Sequence, residues 1–401
     1  MALDYFEDLL RKLPIFKDES KLDINFVPKI LLHREKELSL LSQLFLTLIT
    51  NPNSVSRKIL IIGRTGIGKT ATVKRFGEML MNAAERREIK INYIHINCRK
   101  ERTSYKVLVK IIRILVKNFP KRGYSPQDLL EIIVEYIENQ NLHLLIVLDE
   151  LSYLINKNDD LIYSLTRIND DAINNKQFIS IIGIAREISC LNNLDVSTMS
   201  TLQRNIVKFQ PYSKEQLYEV LKYRISLSFK ENIISEDILK MVSKLVYENG
   251  DVRFGLNLLW RAGKIAENQN LNYISSECIR LGNQEIVPFS TQDVLKYMSQ
   301  QKLILLLSII KALKISNKSQ ISIGEINNHY KILCENIGVN VRSYSQIWNY
   351  LKDFQKDQLI SMEIISETIK GRKTFISIGN ISLKNFENIV IKILRLKGVM
   401  I

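Results

Sequence analysis

The 401-residue chain is 46% hydrophobic and 25% charged, the composition of a globular protein large enough for two or three domains. Its most apolar run, residues 303–310, is too short to span a bilayer, its acidic start lacks a signal-peptide layout, and its four cysteines have no metal or disulfide spacing. A membrane protein, a secreted scaffold and a zinc domain are thereby excluded, the cytoplasm is the expected compartment, and a net charge of +15 with pI ≈ 9.4 points to a polyanionic partner: nucleic acid, or an anionic membrane surface.

From the N-terminus, the first clear pattern is a short apolar strand at residues 58–62. Gly63-Arg64-Thr65-Gly66-Ile67-Gly68-Lys69-Thr70 follows it and fills every fixed position of G-x-x-x-x-G-K-[ST]. The glycines let backbone N–H groups curl around a polyphosphate, and the helix expected over residues 71–81 adds its dipole. Lys69 is placed to reach the β- and γ-phosphates, and Thr70 to offer a hydroxyl to Mg²⁺. The expected ligand is a nucleoside triphosphate with Mg²⁺.

Strands are expected next at residues 90–96, 143–148 and 178–183, with helical stretches between them. This alternation predicts a parallel α/β sheet covered on both faces. The third strand is continuously apolar and ends in Asp149-Glu150. A carboxylate at that end of a buried parallel strand is where a Mg²⁺-coordinating Walker B Asp sits, so Asp149 takes that role and Glu150 that of orienting the attacking water.

Residues 213–285 read as helices, with a capping box at Ser213 and Gln216 and caps at Ser235 and Asp251. An extended linker broken by Pro288 is expected over 285–290. Residues 291–401 then hold 16 basic and 8 acidic residues. Helices are expected at 294–313, 323–335 and 342–354, and strands at 359–366 and 374–378 around a tip of Lys370-Gly371-Arg372-Lys373. Ile347, Leu351 and Phe354 give the third helix a core face, leaving Arg342, Ser345, Gln346, Asn349 and Lys352 outward. This is winged-helix order: the third helix enters a major groove, and Lys370, Arg372 and Lys373 grip the backbone from the wing. A winged helix used to dock proteins fits the same pattern.

The chain as a whole resembles the archaeal AAA+ replication initiators, related to the eukaryotic origin-recognition and cell-division-control initiators. The resemblance runs through Val27-Pro28, His33-Arg34-Glu35, the phosphate loop, Ile94-His95-Ile96-Asn97-Cys98, Leu148-Asp149-Glu150 and Gly250-Asp251-Val252-Arg253. It implies an AAA+ nucleotide-binding domain over 1–205, a helical lid over 206–285 and a winged-helix DNA-binding domain over 290–401. It implies ATP or ADP and Mg²⁺ as cofactors, with Arg253 as the sensor 2 arginine on the γ-phosphate. Tyr212 and Arg224 match lid positions near the nucleotide, and Val27 and Ala71 complete the nucleotide contacts. The implied partners are double-stranded origin DNA and a paralogous initiator subunit, with no membrane. The family also touches DNA through its ATPase domain; the matching loop here carries Lys121 and Arg122, which suit phosphate or minor-groove contact and equally suit a solvated turn.

Two departures stand out. The family's sensor 1 asparagine position holds Arg186, which only donates hydrogen bonds. Its arginine-finger position holds Ser197, with Arg204 seven residues further on. A divergent paralogue is expected, competent to bind ATP, with weak or partner-dependent hydrolysis. The alternatives are an AAA+ regulator or loader whose winged helix docks proteins, and an accessory subunit that retains ADP.

Overall fold

The computed structural model describes residues 14–120, 122–155, 161–168, 176–194, 196–203, 205–284, 289–316, 320–357, 359–367, 371–378 and 383–399. The chain folds as two compact units, Met1–Leu256 and Asn257–Ile401.

In the first unit, β1 (Lys58–Ile62), β2 (Ile91–Asn97), β3 (His143–Asp149), β4 (Ile179–Ala185) and β5 (Ile206–Lys208) form one parallel sheet in the order β2-β3-β4-β1-β5. Four of these strands lie where the apolar runs predict them. β5, three residues long, is too short to register as a run in the sequence. Every residue of β3 and β4 is buried, which explains why these strands are apolar throughout rather than alternating. Successive β3 side chains divide between two cores. Leu144, Ile146 and Leu148 pack with the helices Ser104–Leu115 and Pro126–Asn139. Leu145 and Val147 pack with Val73, Phe76 and Leu80 of the helix Lys69–Glu85. In the register, Gly183 of β4 pairs with both Leu148 and Leu60. The ends of β1 and β3 therefore lie level, one strand apart.

Three N-terminal caps form as the sequence predicts. Ser213 and Gln216 exchange both capping-box bonds at the start of Lys214–Ser228, and the Ser235 side chain accepts from Ile238 N at the start of Glu236–Asn249. That second helix ends at Gly250, in the left-handed region at φ 76°. Asp251 then accepts from Arg253 N as the helix Val252–Asn268 begins.

The second unit is centred on the helix Gln300–Ser316, which is buried on nearly every side. Ile323–Ile337, Tyr344–Lys356 and the final helix Leu383–Leu396 contribute to the same core. β6 (Ile321–Ser322), β7 (Ser361–Glu367) and β8 (Gly371–Ser377) form an antiparallel sheet in the order β6-β8-β7. Two expectations are corrected. The single helix expected over 294–313 is two, Phe289–Lys296 and Gln300–Ser316. Between them Ser299 sits at the cap position, its carbonyl accepting from Leu303 N, and serine there favours a fresh start over a continuous helix. The linker is also shorter than expected: Phe289 and Ser290 are already helical, while 285–288 lie outside the described residues. The final helix was not anticipated, although Phe386, Val390 and Leu394 recur at helical spacing and are fully buried.

Candidate functional site

The loop from Gly63 to Thr70 leaves β1 and enters the helix Lys69–Glu85 at once. Gly63, Gly66 and Gly68 all have positive φ, at 154°, 78° and 95°. Gly66 has a second reason to be glycine. A Cβ there would lie 2.1 Å from Asp251 Oδ1 and 2.8 Å from Asp251 Cα, and Val252 N donates to Gly66 O at 3.2 Å. The Gly-Asp-Val-Arg turn thus rests directly on the phosphate loop. Arg253 folds onto Asp251 there, its Nε and Nη2 donating at 3.0 and 2.6 Å.

Lys69 is buried, and its ammonium donates to Gly63 O and Arg64 O at 2.5 and 2.7 Å. Burial pushes its pKa down to about 8, against the pull of the Glu150 and Asp149 carboxylates; Arg186 and Arg253 push the same way as burial. Arg186 and Arg253 therefore both lie near Lys69, each beside a carboxylate of its own, Glu150 and Asp251.

Asp149 is held from three sides. Thr70 Oγ1 donates to its Oδ2 at 2.9 Å, His95 Nε2 to the same oxygen at 3.0 Å, and Glu150 N to Oδ1 at 2.9 Å. Burial alone would raise its pKa, but the bonds from His95, Thr70 and Glu150 N outweigh that and hold it below the usual carboxylate value. His95 Nδ1 lies 2.9 Å from Tyr93 Oη, whose hydroxyl donates to Val73 O at 3.2 Å, so the ring is anchored from both nitrogens. The hydroxyl and carboxylate are hard oxygen donors of the kind Mg²⁺ takes in small number beside a polyphosphate. Among the described residues no cluster of His, Cys, Asp and Glu forms a dedicated metal cage.

Glu150 stands in the left-handed region at φ 54°, uncommon for a non-glycine residue. Its Oε2 lies 3.7 Å from Arg186 Nε, and the Arg186 carbonyl accepts from Gly63 N at 3.2 Å. The residue at the sensor 1 position thus pairs with the carboxylate assigned to the attacking water and also braces the loop.

Tyr212 reaches the same loop: its hydroxyl lies 3.0 Å from the position a Gly68 Cβ would take. Arg224 is buried and donates to Phe26 O and Asp23 O at 3.2 and 3.0 Å, which sets it beside half-buried Val27. Ala71 is half-buried in the first turn after the loop. Ser197 lies half-buried in the short helix Val196–Gln203; Arg204 falls outside the described residues.

Sequence reasoning assigned no role to Arg34 or His95, and to Asp251 only that of a helix cap. Arg34 is buried, donates to Ile67 O at 2.8 Å and Gln210 O at 2.9 Å, and lies 3.9 Å from the Tyr212 ring centre. A buried arginine clamping the loop carbonyl was visible only as part of His33-Arg34-Glu35.

In the second unit the third helix begins at Tyr344 rather than at the expected 342, so Arg342 is exposed but lies before it; Ser345, Gln346 and Asn349 are exposed along the helix, and Ile347, Leu351 and Phe354 are buried. Arg372 and Lys373 lie in β8, paired in register with Ser366 and Ile365. Lys370 and Lys121 fall outside the described residues, and Arg122 is exposed.

Residues 54–188 match the AAA domain family, 218–284 the Cdc6 AAA+ ATPase-type lid domain, and 293–386 the CDC6 C-terminal winged helix domain. The chain is 32% identical over 387 residues to ORC1-type DNA replication protein 2 of Saccharolobus solfataricus, covering 94% of each. It is similar to the Aeropyrum pernix ORC1 protein solved in complex with DNA (26% identity, TM-score 0.81, 95% of this chain and 99% of that one). It is also similar to Cdc6p of Pyrobaculum aerophilum (29% identity, TM-score 0.62, 96% and 99%). With both phosphate-loop and Walker B geometry in the first unit and a winged helix in the second, the chain belongs to the ORC1-type family of archaeal DNA replication initiators.

Proposed function

We propose that this protein binds ATP or ADP with Mg²⁺ at residues 63–70, binds origin duplex DNA through its winged helix, and uses nucleotide state to modulate that binding during replication initiation. The observation that carries the nucleotide half is the seating of Asp251 on Gly66, with Lys69, Arg186 and Arg253 converging on one loop. Thr70 and Asp149 are the residues that would hold Mg²⁺, which neutralises phosphate charge when bound. Tyr212, Arg224, Val27 and Ala71 are assigned to the nucleotide's surroundings and Arg253 to its γ-phosphate.

Hydrolysis is proposed to be slow. Glu150 serves best when its carboxylate is free to polarise water, and its pairing with Arg186 opposes that. Ser197 offers no guanidinium to a neighbouring paralogous subunit. Single-turnover ATP hydrolysis tests this half.

The DNA half is supported by the exposed polar row of the third helix and by the Aeropyrum pernix ORC1 protein having been solved in complex with DNA. One observation favours protein docking instead: that helix and its flanks, residues 342–357, hold three basic residues against two acidic ones, and Tyr344 is 60% exposed. Duplex binding with a steep salt dependence decides for DNA; weak, salt-insensitive binding decides for a protein partner.

A further inference from the structure

The second unit carries eight more basic than acidic residues across 291–401, yet the third helix accounts for little of that excess. The helix Gln300–Ser316 holds Lys302, Lys311 and Lys314 with no carboxylate, but Lys302 and Lys314 are paired with Asp353 and Glu387; the other basic helix is the last one. From Leu383 to Lys397 it holds Lys384, Lys392, Arg395 and Lys397 against a single carboxylate, Glu387. Glu387 pairs with Lys314 Nζ at 2.7 Å, not with a lysine of its own helix.

The charge is also arranged. Lys384, Asn388, Lys392 and Arg395 are exposed and fall within about 80° of arc at 3.6 residues per turn, a stripe ~16 Å long. Phe386, Val390 and Leu394, each fully buried, fill the opposite side. Neither Lys384, Lys392 nor Lys397 forms an ion pair among the described residues. The helix macrodipole accounts for basic residues in the last turn, but it disfavours Lys384, which stands in a first turn that has no acidic residue.

Charge of this kind selects among partners. A helix that lies on a membrane or in a protein groove presents an apolar face, and here that face is spent on the core. What remains is a row of ammonium groups, a guanidinium and an amide, which suits phosphates spaced at about one charge per 1.7 Å of duplex axis. We infer that the outer face of the final helix, through Lys384, Lys392 and Arg395, is a second contact with the sugar-phosphate backbone of duplex DNA, separate from the third helix and the wing. The inference rests on the DNA reading proposed above.

The test is a salt titration of full-length protein against fluorescent duplexes of random and origin sequence. Lys384→Ala, Lys392→Ala and Arg395→Ala combined should lower the slope of log affinity against log salt by about 2–3, at about 0.9 per lost contact. Affinity for both duplexes should fall together, with sequence discrimination and the melting temperature unchanged. Lys392→Glu alone should weaken binding further than Lys392→Ala. If the triple variant keeps the wild-type slope while Arg372→Ala with Lys373→Ala lowers it, the final helix does not touch DNA and the inference is wrong. It is equally wrong if the triple variant loses binding to phosphatidylglycerol vesicles but keeps it to DNA. Should the wild-type protein bind no duplex at all, the DNA reading itself fails, a result distinct from the other two.

Discussion

The two units handle charge in opposite ways. In the first, ions are buried or half-buried and matched: Lys69 against loop carbonyls, Asp149 against Thr70 and His95, half-buried Arg253 against Asp251, Arg34 against Ile67 and Gln210. In the second, Arg342, Lys384, Lys392 and Lys397 stand in solvent. Buried pairs interact strongly but depend on geometry, whereas exposed cations interact weakly, additively and under salt control. Single changes in the first unit should therefore have large effects that salt barely moves. Changes in the second should be small, cumulative and salt-dependent.

The largest expected effect is at Lys69. Lys69→Ala removes charge-assisted bonds to two phosphates, each worth about 1.5–3 kcal/mol, so the ATP dissociation constant should rise on the order of 1,000-fold. Calorimetry at two ionic strengths checks both the size and its insensitivity to salt. Equal affinity in wild type and variant would sink the phosphate-loop assignment.

The next effect lies at the other end of β3 from Asp149. His143 is fully buried; its Nδ1 donates to Asn53 Oδ1 at 3.0 Å and its Nε2 accepts from Ser180 Oγ at 2.9 Å. That arrangement suits the neutral ring, and burial pushes its pKa down to about 4. A histidine lowered from 6.5 contributes stability that is complete above pH 6.5 and is lost as pH falls towards 4. The loss amounts to about 3 kcal/mol at most. Urea unfolding at pH 7.5 and pH 4.5 should show that drop in wild type and a smaller one in His143→Gln. An equal drop in both would assign the acid sensitivity to other groups, the Asp149 cluster first.

Smaller again is the effect at Arg186. Arg186→Asn frees Glu150 from its ion pair and should raise single-turnover hydrolysis about tenfold, a fraction of what general-base catalysis can supply. ATP affinity should change little. Adding Ser197→Arg should matter only where a neighbouring subunit is present. Ordinary AAA+ turnover in the unchanged protein would show that the pair at 3.7 Å is no restraint.

How much of this was legible beforehand follows the same division. The loop, Asp149 and the buried strands were readable because a polyphosphate and a two-sided sheet each demand particular residues at fixed spacing. The contacts that join separate segments were not: Asp251 on Gly66 spans 185 residues of sequence, and His95 meets Asp149 across the β2–β3 register. Neither closeness has a local signature. Apolar periodicity runs through Ser299 and hides the split there, and the final helix follows a hairpin that already completes the winged-helix order. In the second unit the polar row of the third helix was visible, but charge alone does not say which face a partner takes.

The smallest expected effects separate reading from gripping within the winged helix. Arg372 and Lys373 lie near the start of β8, and the contacts proposed for them go to phosphates, which carry no sequence information. Changing both to Ala should weaken binding to every duplex by a few-fold and lower the salt slope by about 2. Gln346 and Asn349 are exposed on the third helix, and amides pair with adenine in the major groove, so changing these to Ala should leave binding to random duplex and the slope nearly untouched. Their effect should appear only as a narrower gap between origin and random sequence, about 1–3 kcal/mol per lost base contact. Competition binding at two salt concentrations measures both quantities in one experiment. If the amide changes move the slope, or the wing changes move the discrimination, the assignment of grip to the wing and reading to the helix is reversed. If neither pair changes DNA binding, the exposed Tyr344 and the near-balanced charge of that helix point to a protein partner on this face.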